Sequence, residues 1–167
     1  MSPVDATSPH LVPLLAQAVE HWPAAVLLRE SRWLYPLVST LHLSGIAALL
    51  GGLLVLDLRL LGLQRSVPRS AVARCAWPVA VAGLALALST GPLLFMTKPS
   101  EYIANPAFAI KFLLISLAFC NVALFHLTWP GVLRGLRPIT SGVRACAAAS
   151  LLLWWGVLLA GRWIAFL

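Results

Sequence analysis

Apolar positions gather into four long runs. The first, Leu34 to Leu56, contains one histidine, His42, and no acidic or basic residue. At about 1.5 Å per residue it reaches ~35 Å, enough to cross a bilayer with some tilt. The pattern predicts spans over about 33–63, 72–96, 107–129 and 143–166, together one transmembrane domain over 33–166. Pro78 near the start of the second span, and Gly91-Pro92 near its end, are expected to kink or stop it. Pro130-Gly131 ends the third. Ahead of the spans, Leu11, Leu14, Leu15, Ala18, Val19 and Trp22 recur on one helical face. Glu20 and His21 fall among them and Pro23 interrupts the run, so 11–30 reads as an interfacial amphipathic helix rather than a span. Residues 1–10 read as a flexible polar tail, without the basic region of a cleavable secretory signal. The expected fold is all-α: a four-helix transmembrane bundle preceded by an N-terminal interfacial helix.

Composition supports that reading. Of 167 residues, 60% are apolar and 10% charged, which excludes disorder and argues against a soluble domain. Three cysteines cannot staple a fold. Cys75, Cys120 and Cys146 lack the spacing of a metal cluster or a covalent haem. Twelve basic residues against five acidic give a net charge of +7. The basic residues sit between the apolar runs, which points to topology signalling and not to nucleic acid. Seven of them (Arg59, Arg65, Arg69, Arg74, Arg134, Arg137, Arg144) fall at one end of the spans. That end is expected to be cytoplasmic in a bacterial inner membrane, with both termini periplasmic. Trp33 and Trp163 would mark the outer interface, Trp77 and Trp129 the inner one.

Ionisable groups inside hydrocarbon are costly, so each is a candidate site. His42 lies nine residues beyond Trp33, ~14 Å deeper. Ser39, Gly45 and Leu49 share its face, and the small Gly45 would leave room beside the ring for a flat macrocycle. Neutral imidazole can ligate haem iron; it can equally hydrogen-bond a neighbouring helix. Met96 is a candidate second axial ligand, or simply packing. Lys111 and Arg162 lie at a similar outer depth. They are either snorkelling cations or a pair for an anionic group such as haem propionates. His126 is 15 residues beyond Lys111, ~22 Å further in, and so belongs to a separate level with Asp57 and Arg59. That inner cluster reads as an ion pair fixing helix register, or as a quinone or proton-transfer site. His10 and His21 lie outside the spans. No phosphate-binding glycine loop and no catalytic triad pattern is present.

The strings LHLSGIAALLGGLLVLDLRLLG at 41–62, NPAFAIK at 105–111 and GRWIAF at 161–166 resemble a bacterial family of small uncharacterised four-helix membrane proteins. More distantly, the first span is similar to that of HemJ-like protoporphyrinogen oxidases and CopD-like copper-resistance proteins. There, a histidine precedes a glycine-rich run and a later arginine; HemJ-like proteins also carry a lysine and then a histidine in a later span. The matching positions are His42, Arg59, Lys111 and His126. The resemblance implies a b-type haem bundle with His42 as iron ligand. A longer lysine-to-histidine spacing, and Asp57 ahead of the arginine, depart from the HemJ pattern and place the likeness in the fold, not in porphyrinogen oxidation.

The function expected is a haem b-binding electron-transfer protein or subunit, passing electrons between a periplasmic partner and a quinone, and so part of an oxidoreductase if it is an enzyme at all. The expected partners are the bilayer, a redox or other membrane protein, and further copies of the chain in a homo-oligomer. Two other classes fit the same residues: a non-catalytic anchor or scaffold subunit, and a small oligomeric transporter.

Overall fold

The computed structural model describes residues 11–166. The expected tail, 1–10, with His10, lies outside them. Seven helices follow one another: α1 (Leu11–Glu20), α2 (Pro23–Glu30), α3 (Leu34–Leu61), α4 (Arg69–Phe95), α5 (Pro99–Ala104), α6 (Pro106–Thr128) and α7 (Ser141–Trp163). Among the described residues the fold is all-helical. The helices α3, α4, α6 and α7 are each long and apolar enough to cross a membrane, which makes this a multi-pass membrane protein.

Local chemistry sets the ends. The helix α3 stops at Gly62, which takes φ +112° as a left-handed cap. Pro68 stands at the N-cap of α4, and α6 opens with Pro106 at a position that needs no amide donor. Asn105 caps α6 by accepting from the Ala107 amide at 2.9 Å, and its own amide donates to Ile164 O at 3.1 Å, which ties the start of α6 to the end of α7. Two points differ from the sequence reading. The segment expected to be one interfacial helix is two helices with a corner at His21-Trp22, because Pro23 cannot continue the α1 ladder and instead starts α2. Second, α4 runs through both Pro78 and Pro92 to Phe95. The connection beyond it then forms the short helix α5, which the hydropathy pattern did not announce.

The bundle is built from two tight pairs, α3 with α4 and α6 with α7, joined where α3 packs on α7. The α3–α4 contact is the closest. A Cβ placed on Gly45 would stand 2.8 Å from Ala87 N and 2.9 Å from Gly83 O; one on Gly52 would stand 2.7 Å from Ala76 O. The two backbones therefore touch, as small residues permit between helices in lipid. Across the other side, α4 and α6 meet through large rings: Trp77 with His126 at one end (5.1 Å) and Phe95 with Phe108 at the other (5.5 Å). Leu49, Leu53, Ala80, Ala118 and Trp154 form the central core, and Leu60, Val132, Val143 and Ala147 a second cluster at the end rich in arginine.

Each end is fastened by an arginine. At the end carrying α1, α2 and α5, Arg29 donates to Thr97 O at 3.1 Å and Glu20 O at 2.8 Å, and pairs with the Glu20 carboxylate at 3.3 Å. At the arginine-rich end, Arg69 donates to Arg137 O at 2.8 Å and Val132 O at 3.3 Å, holding the 129–140 connection against the start of α4.

Candidate functional site

Two polar centres occupy the bundle, one towards each end. The first is His42. Its Nδ1 is 2.9 Å from Thr90 Oγ1, and the Thr90 hydroxyl donates to Leu86 O at 2.6 Å. The hydroxyl proton is thereby committed, so the threonine oxygen accepts and His42 carries its proton on Nδ1. The other nitrogen, Nε2, keeps its lone pair. This is the arrangement that fixes tautomer and ring orientation in ligating histidines. Thr90 is buried and His42 half-buried. Gly91 makes room for the ring: a Cβ there would stand 3.4 Å from His42 Cε1. Gly45 does something else. The face on which it would have admitted a macrocycle is filled by the α4 backbone at Gly83 and Ala87, so its smallness serves helix contact.

The expected companions of His42 separate. Lys111, half-buried, lays its stem along Gly161, with Nζ 3.5 Å from where a Cβ would be, and is within electrostatic reach of His42. Arg162 is exposed and places its guanidinium 5.0 Å over the Phe166 ring. Lys111 thus turns towards α7, while Arg162 stacks on the chain just beyond its own helix. Met96 caps the end of α4, six residues past Thr90 and so ~9 Å further along the axis.

The second centre surrounds Asp57. This carboxyl is 6% exposed, and its Oδ2 has no hydrogen-bond partner. Ser150 of α7 stands beside it. A cavity of about 40 Å³ opens here, lined among others by Asp57, Ser150, Asn121 and His126. That is room for one water. The neighbouring Asn121 amide donates to Cys146 O at 3.0 Å. His126 is exposed on its outer side and donates Nδ1–H to Val122 O at 2.9 Å, leaving Nε2 as an acceptor. Its ring packs on Trp77 and Phe125. The same Trp77, Phe125, His126 and Leu133 also line a larger cleft of about 900 Å³ between the start of α4 and the end of α6.

Arg59 does not join this centre. Residues two apart on a helix point about 200° away from each other, and Arg59 turns outward to donate to Val67 O at 2.9 Å and Arg65 O at 3.3 Å. The register-fixing ion pair is therefore not formed. The ion pairs among the described residues are Arg29–Glu20 and Lys98–Glu101, and Asp57 is in neither. Ser150, Asn121 and Cys146 are the members that sequence reasoning missed. Thr90 was missed at the first centre.

A protein-family model matches residues 34–167, a stretch that holds all four long helices. The chain belongs to DUF6644, a family of unknown function. No curated protein and no solved structure matches it. The DUF6644 match starts at the first residue of α3. Both polar centres thus lie inside the family region, whereas α1 and α2 precede it. Chemically, the DUF6644 bundle offers one fixed imidazole with a free Nε2 towards one end. Towards the other it offers a buried carboxyl without a counter-ion and a second imidazole, both lining one small cavity.

Proposed function

We propose that the protein is a haem b-binding electron-transfer protein or subunit of the bacterial cytoplasmic membrane, with the arginine-rich end inside and both termini outside. The observation that carries this reading is the Thr90–His42 hydrogen bond. It commits Nδ1 and leaves Nε2 as a donor atom of fixed direction in a half-buried site. The donor chemistry of His42 is the kind that would hold haem iron. When bound, the haem would supply a one-electron redox centre. Lys111 and Arg162 would supply positive charge to neutralise the propionates. The pattern of a histidine, a glycine-rich run and a later arginine in the first span, read as a resemblance to HemJ-like and CopD-like proteins, points the same way, and the seven arginines at one end support the orientation.

Asp57 and His126 supply proton chemistry at the opposite end. The unpartnered Asp57 Oδ2 can hold a proton inside the bundle, and His126, whose Nε2 is an acceptor, lines the same small cavity and can exchange one through it. Such a pair lets charge be balanced by a proton drawn from the arginine-rich side.

The test is optical. Protein purified from a haem-replete host is expected to show a reducible b-type spectrum, and His42→Ala is expected to lose it while keeping the helical content of the wild type. Colourless, haem-free wild-type protein refutes the proposal.

A further inference from the structure

The cleft at the arginine-rich end has features that electron transfer does not use. It is open, about 900 Å³ in volume, and its walls are largely apolar, with Trp77, Phe125 and Trp129 among them. Arg74 and Arg134 line it and are exposed. Three other arginines of this end are occupied, Arg59, Arg65 and Arg69, which donate to backbone carbonyls; Arg137 and Arg144 do not line the cleft. Arg74 and Arg134 have no hydrogen-bond or ion-pair partner among the described residues. The one acidic residue at this end among those described is Asp57, and it is buried. Helix α4 also begins here without a side-chain cap, so its first amides add positive potential. A cleft between membrane helices, with apolar walls within the hydrocarbon and two free guanidiniums at its mouth, matches a lipid with a negative headgroup.

We propose that this cleft is a binding site for an anionic phospholipid, its phosphate held between Arg74 and Arg134 and an acyl chain lying along Trp77, Phe125 and Trp129. A neutral quinone would fill the apolar walls but leave both guanidiniums without an anion, so charge complementarity selects the lipid. The site is independent of whether His42 carries haem.

The experiment uses the full chain, delipidated in a neutral detergent. Thermal unfolding is followed while phosphatidylglycerol, phosphatidylcholine, inorganic phosphate or a short-chain ubiquinone is added. Phosphatidylglycerol is expected to raise the midpoint and the other three to leave it unchanged. With each basic residue near an anionic headgroup contributing about fivefold in affinity, the Arg74→Gln/Arg134→Gln pair is expected to lose about 30-fold. Arg137→Gln/Arg144→Gln removes the same charge from exposed positions that do not line the cleft, and is expected to bind as the wild type does. Equal stabilisation by phosphatidylcholine, full stabilisation by phosphate alone or by the ubiquinone, or equal losses in the two double variants would each overturn the proposal.

Discussion

Gly83→Ala is the substitution on which the bundle's architecture can be tested most sharply. A Cβ at residue 83 would meet Leu49 N, Gly45 O (2.6 Å) and Ala48 C (2.9 Å). All three are backbone atoms of α3, so none can rotate out of the way, and α4 must move off α3 along its closest contact. Overpacking of this kind costs about 1–3 kcal/mol, and the absence of any yielding side chain places this site towards the upper end. Alanine's better helix propensity returns about 0.5–1 kcal/mol. The net loss is about 2 kcal/mol, or ~4–8 °C in Tm for a chain of this size. Gly51 is the internal control, because a Cβ there meets nothing within 4 Å. Gly51→Ala is expected to keep the propensity gain and melt ~1–3 °C higher. The assay is thermal melting by circular dichroism of wild type and both variants in one detergent. A Gly83→Ala protein as stable as the wild type, or a Gly51→Ala protein losing as much as Gly83→Ala, would refute the α3–α4 packing described here.

Further outcomes follow from the other contacts. Asp57→Asn keeps the shape of the side chain and removes its capacity to ionise where no cation answers it. Stability is expected to be unchanged or to rise by about 1 kcal/mol in chemical unfolding, since the amide stays neutral at every pH and a buried carboxylate without a partner is costly; a fall of that size would show that Oδ2 is paired after all. Arg69→Ala releases the 129–140 connection by deleting the bonds to Val132 O and Arg137 O. Trypsin is expected to cut after Arg134 several times faster in the variant, as read by mass spectrometry of timed digests, and an unchanged cleavage rate would mean that the connection is held by something else.

The spans, their number and most of their ends were legible in the sequence, because hydropathy, proline and glycine act through nearest neighbours and a helix in lipid must satisfy its own backbone. The inward chemistry was legible in part for the same reason: a histidine or carboxylate in hydrocarbon stands out wherever it is. Which of those groups meet is not a local property. Asp57 and Arg59 share a level but point opposite ways, so closeness in sequence suggested an ion pair that helical geometry forbids. Gly45 follows His42 by one turn, but its open face belongs to α4, and this depends on which helix packs on α3. Thr90, Ser150 and Asn121 carry weak signals alone, since hydroxyls and amides are tolerated in spans. They become part of a site when α4, α6 and α7 bring them against His42, Asp57 and the cavity beside it. Composition and periodicity thus determined a four-span membrane protein with a few costly polar groups. The pairing of α3 with α4 and of α6 with α7 decided that these groups form two separate centres, because side chains dozens of residues apart become neighbours only through tertiary packing.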